Sequence, residues 1–75
     1  MPSQAVFRKT LVRPPYVRSF EIVLAADAGW QVFERKDEQV VQRHFADWHR
    51  VERVATRFAQ DVAALRREGW EELPN

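Results

Sequence analysis

The stretch "ADWHRVERVATRFAQDVAALRREGW", residues 46–70, constrains the fold more than any other part of the chain. Trp48, Val51, Ala55, Phe58, Val62 and Leu65 recur at spacings of 3, 4, 3, 4 and 3. That rhythm places all six on one stripe of an α-helix. Asp47 precedes the stripe as an N-cap, a carboxylate able to accept from the unpaired amides of the first turn. Gly69 closes it as a left-handed C′ residue, and Trp70 follows where a Schellman ending would bring it against Leu65. Arg66 and Arg67 fall in the last turn, where the macrodipole favours cations. The reading is a helix over 47–68, roughly 33 Å long at 1.5 Å per residue. Its apolar stripe must be covered by something.

The cover is expected immediately upstream. In "RSFEIVLAA", residues 18–26, Phe20, Ile22 and Leu24 alternate with Glu21, Val23 and Ala25, the period of a strand. "DAG" at 27–29 reads as a turn, with Gly29 free to take a positive φ. "WQVFER" at 30–35 returns, "KDEQ" at 36–39 turns again, and "VVQRHF" at 40–45 is a third strand. The fold class is therefore α+β, a three-stranded antiparallel β-meander over 18–45 followed by one long C-terminal helix packed on one sheet face. Residues 1–17 form a basic N-terminal arm, within which "AVFRKTLV" at 5–12 is a candidate fourth strand. "RPPY" at 13–16 reads as a break between arm and meander, because neither proline can donate to a ladder. So short a sheet leaves part of the helix projecting. The whole chain, 1–75, is one domain.

At 75 residues the chain buries only about 60% of its unfolded surface, so its core needs support from elsewhere. There is no cysteine, which removes disulfides and thiolate zinc sites from the candidates. Oligomerisation is the remaining common supplement. No apolar run approaches the ~20 residues of a membrane span. "MPSQAVFRKTLVRPP" lacks the apolar core of a signal peptide, so a cytoplasmic protein is expected.

Chemistry-bearing constellations are sparse. His44 and His49 lie near Asp47 and Glu52 in "HFADWHRVE", but a metal needs three or four converging ligands with a second shell. A helical His49–Glu52 contact accounts for the pair more simply. Ser3, Ser19 and Thr56 have no evident His–carboxylate support, and two isolated glycines make no phosphate cradle. "GWQVFERKDEQVVQRHF" contains no motif with a mechanism attached. The expectation is no enzyme, no catalytic or metal residues and no cofactor.

The charged and apolar surfaces say more. The net charge of +1 hides a segregation: Arg8, Lys9, Arg13 and Arg18 occupy the first twenty residues with no acid among them. On the helix, Arg50, Arg53 and Arg57 lie within about 60° of one another, away from the apolar stripe. The same strip continues through Asp61 and Glu68, basic in its first half and acidic in its second. A solvated face with an Arg57–Asp61 pair at i,i+4 accounts for this most simply. Two such strips set antiparallel by a two-fold axis would also be complementary. The sheet face away from the helix carries Val23, Phe33 and Val40, apolar enough to serve as a partner surface.

The functional expectation is a small protein-interaction module that self-associates as a homodimer, with another protein partner also open and no membrane. The candidate surface is Arg50, Arg53, Arg57, Asp61, Glu68, Val23, Phe33 and Val40, with Arg8, Lys9 and Arg13 of the arm. The alternative is a weak nucleic-acid or anion binder using the arm and the helix arginines. It is the weaker reading because the pI is only about 8.3 and no strand carries an aromatic-and-basic RNA-binding signature.

Overall fold

The computed structural model describes residues 5–26 and 28–74. Ser3 and Asp27 lie outside them. Five strands and one helix follow in the order β1 (Ala5–Arg13), β2 (Tyr16–Leu24), β3 (Trp30–Lys36), β4 (Gln39–Phe45), α1 (Trp48–Arg67) and β5 (Glu71–Glu72). They form one antiparallel sheet in the spatial order β4-β3-β2-β1-β5, with the helix packed on it. The α+β class and the meander over β2, β3 and β4 match the sequence reading. The strand count does not: the sheet has five strands, not three or four.

The arm supplies the first difference. β1 pairs with β2 along its whole length, from Arg13↔Tyr16 to Ala5↔Val23, with a bulge between Ala5 and Phe7. Pro14 and Pro15 do not break arm from meander; they are the two-residue loop that joins β1 to β2. A loop residue has no ladder to serve, so the missing donors of the prolines cost nothing there. β5 supplies the second difference. After the helix the chain turns back, and Leu11↔Glu72 and Val12↔Glu71 pair along the outer side of β1. Leu73 donates its amide to the Thr10 carbonyl at 2.8 Å, extending that contact.

These additions resolve the mismatch in length. β1 and β2 have nine residues each, about 30 Å at 3.3 Å per residue. The helix has 20 residues, also about 30 Å. Its buried residues run from Val51 through Phe58 and Val62 to Leu65, so the apolar stripe is covered over most of its length.

The core is Leu11, Phe20, Ile22 and Val32 from the sheet against Val51, Phe58, Val62 and Leu65 from the helix. Phe58 and Phe20 are fully buried with ring centroids 4.9 Å apart, and Phe7 closes on Phe58 at 5.9 Å. Trp48, at the start of the stripe, is 39% exposed and packs on Trp30 with centroids 5.2 Å apart. Alternation also puts Leu24 and Val41 on the inner face, yet both are 50% exposed. The helix reaches β4, where its Val54 and Arg57 line a narrow gap with Val41, Arg43 and Phe45, but it leaves half of Val41 exposed.

Both helix ends form as their sequence dictates. The Asp47 carboxylate accepts from the His49 amide at 3.0 Å. At the other end Trp70 donates to the Leu65 carbonyl and Gly69 to that of Arg66, the two bonds of a Schellman motif, with Gly69 at φ +96°. Replacing Asp47 by Ala should lower stability by about 1 kcal/mol, because the first-turn amides lose their acceptor. Urea unfolding followed by circular dichroism reads this, and an unchanged midpoint would mean that water caps the helix equally well.

Candidate interaction surface

The pairing registers assign every strand residue to a face. Phe7, Lys9 and Leu11 stand opposite Ile22, Phe20 and Arg18, on the helix side. Arg8, Thr10 and Val12 join Val17, Ser19, Glu21 and Val23 on the other side. Gln31, Phe33, Arg35, Val40, Gln42 and His44 continue that outer face across β3 and β4. No helix covers it.

The charge segregation along the chain is undone by the fold. Arg8 pairs with Glu21 across the outer face. Lys9 reaches Glu72 of β5 at 3.0 Å, and Arg66 approaches the same carboxylate at 3.9 Å. Arg18 lies 3.7 Å from Glu34 and over the Phe20 ring at 5.3 Å; its Nε is buried and finds no acceptor among the described residues. Of the arm's cations, Arg13 at the exposed end of β1 has no carboxylate partner among the described residues.

The helix strip is also rearranged. Arg57 turns away from Asp61 and binds Glu34 of β3 at 3.0 Å, while its guanidinium rests 5.4 Å above the Phe58 ring. Glu34 thus holds two arginines, one from the sheet and one from the helix, and helps fix the helix across β3. No Arg57–Asp61 ion pair and no His49–Glu52 hydrogen bond or ion pair forms among the described residues. Asp61 is half-buried, Glu68 is the exposed C-cap, and Arg50 and Arg53 point to solvent without carboxylate partners among the described residues. Glu34 was legible as an acid on the inner face, since it alternates with Trp30 and Val32. Its partner on the helix was not.

Of the apolar candidates, Val23 is only 8% exposed and Phe33 is half-buried. Val40 is 60% exposed. Phe33 and Val40 border a shallow hollow over the small pair Thr10 and Ser19, with Arg8, Glu21 and Arg35 at its rim. Exposed apolar side chains also occur elsewhere, at Val6, Tyr16, Leu24, Trp48 and Leu73, but Val40 and Val41 are adjacent and stand on opposite faces of one edge strand. His44 does not join His49; its Nε2 lies 3.0 Å from the Ala28 carbonyl. Among the described residues no group of three or more His, Asp or Glu is placed to hold a metal ion, and no helix is long and apolar enough to cross a membrane.

No protein-family model, curated protein or solved structure matches this chain. The functional reading rests on the surface just described.

Proposed function

We propose that this chain is a small protein-interaction module that self-associates through the β3–β4 side of its sheet. The observation that carries the reading is the free edge of β4 at the end of the sheet, with Val40 and Val41 at 60% and 50% exposure on its two faces. A chain of this size with one helix over one sheet face gains most from a partner along a sheet edge that no other strand covers. The satisfied cations of the arm support the same choice, because Arg8, Lys9 and Arg18 already have carboxylates within the chain.

Replacing Val40 by Lys tests the surface. Val40 is too exposed for the change to disturb the core, so the unfolding free energy of the monomer, measured below the dimerisation concentration, should stay within about 0.5 kcal/mol of the native value. The dimer should weaken at least about tenfold, since a charge would be desolvated at the contact. Equal dimerisation of the variant and the native chain would move the interface away from β4.

A second reading keeps one observation in its favour. Arg50 and Arg53 project from the first half of the helix with no carboxylate partner among the described residues, and Arg43 of β4 is exposed as well. Arg50 and Arg53, about one turn apart on the helix, offer a small cationic surface for phosphates. It has lost Arg57 to Glu34, and with it part of the strip on which a nucleic-acid contact would be built.

A further inference from the structure

We infer that two copies of this chain join through their β4 strands, antiparallel about a two-fold axis at Gln42, into one continuous sheet. The inference rests on the self-association proposed above and specifies its geometry.

The two edges of the sheet are unlike. At one end β5 is two residues long, both of them glutamates, and Pro74 follows shortly after. Short length, charge and a nearby proline are the usual guards of a sheet edge. At the other end β4 has seven residues, "QVVQRHF", of which all but Phe45 are exposed. It has no proline, no glycine and no bulge, and its only formal charge at neutral pH is Arg43.

The hydrogen-bonding phase of that edge can be read from the ladder. In antiparallel pairs, residues alternate between bonding toward one neighbour and toward the other. The Lys36↔Gln39 pair flanks the two-residue loop Asp37–Glu38 and is the bonded kind. Gln39, Val41, Arg43 and Phe45 therefore spend their backbone groups on β3, leaving those of Val40, Gln42 and His44 directed outward. The same phase, carried across the sheet, fits two bonds seen elsewhere. Asp37 donates to the Val17 carbonyl at 2.9 Å, and Leu73 to the Thr10 carbonyl at 2.8 Å.

Three outward residues at even spacing are self-complementary. Placing the axis at Gln42 sets Gln42 against Gln42 of the second copy and Val40 against the second copy's His44, so every outward amide and carbonyl finds a partner. A shift of two residues leaves one bonding residue of each strand unpaired. A shift of one puts bonded residues against unbonded ones. In the register that satisfies all three, Arg43 faces Val41 rather than another cation, and Gln39 faces Phe45. The two exposed valines are each partly covered, and no like charges stand directly opposite; the two Arg43 side chains lie only on the diagonal. An edge built this way fits a second copy of itself better than a charged peptide, and it extends the sheet without moving the helix.

A charge exchange at the axis tests the register. Gln42→Lys and Gln42→Glu each place like charges opposite one another across the pair, which destabilises it. Each variant alone should dimerise at least tenfold more weakly than the native chain by sedimentation at low salt. An equimolar mixture of the two should dimerise at least as well as the native chain, as a heterodimer. Gln42→Pro removes the central outward donor without touching the β3 ladder, as proline on an exposed edge can. It should abolish the dimer while keeping the native circular dichroism spectrum. If the native chain dimerises but the Lys and Glu variants do so equally well, or their mixture shows no gain, the β4 register is wrong although self-association stands. A native chain that remains monomeric would overturn self-association and this geometry together.

Discussion

Phe58→Ala should remove most or all of the cooperative unfolding transition. Phe58 is fully buried: its ring packs on Phe20 and Phe7, and its relative exposure is 0%. Truncating such a residue costs about 3–5 kcal/mol, the lost transfer energy plus the cavity left behind. Domains of this size hold a total of only about 5–15 kcal/mol, and small ones lie at the low end. Arg53→Ala, on the opposite side of the same helix, should change stability by no more than about 0.5 kcal/mol. Urea unfolding of both variants gives the comparison, and similar losses from the two would reverse the assignment of inner and outer helix faces.

Gly29→Ala should be the most damaging glycine substitution. Gly29 sits at φ +82°, and a Cβ there would lie 2.5 Å from the Phe45 carbonyl oxygen and 3.2 Å from Ala46 Cα. Both neighbours are backbone, held where β4 hands over to the helix, so they yield only by moving that junction. Left-handed strain costs about 1–2 kcal/mol by itself, and overpacking against a fixed neighbour about 1–3 kcal/mol more. Gly69→Ala supplies the control. Gly69 has φ +96° but nothing within 4 Å of an added Cβ, so it should pay the backbone term alone, about 1 kcal/mol. Equal losses at the two glycines would mean that the 25–29 connection relaxes away from the β4 end.

Legibility differs among the elements for physical reasons. The helix could be read to within a residue because its cap, stripe and stop are local chemistry written in consecutive positions. β2, β3 and β4 were readable from period-two alternation and from polar turns of ordinary length. β1 was visible only as a candidate, because Pro14 and Pro15 resemble a break as much as a loop. β5 was not readable at all. Glu71 and Glu72 have low strand propensity, and their pairing partners, Val12 and Leu11, lie about sixty residues upstream. Face assignment followed from alternation, but exposure did not: Leu24 and Val41 lie on the inner face and are still 50% exposed, because one helix covers them only in part. The charged surface failed in the same way. Arg57 has a carboxylate four residues along its own helix, yet it binds Glu34 of β3, 23 positions away, which helical spacing cannot reveal.

The same consideration separates the two functional readings. An arm that looks basic along the chain is largely neutralised in the folded sheet, whereas the apolar edge at β4 remains uncovered. Surface charge should therefore matter little to association, and apolar contact with strand pairing should matter more.

Sedimentation equilibrium of the native chain, from low to high micromolar concentration at low and high salt, tests self-association most directly. The chain should form a dimer whose dissociation constant changes little with salt, because valines and backbone groups carry the contact. A monomer at high micromolar concentration that instead binds a generic oligonucleotide, with affinity falling steeply as salt rises, would contradict it.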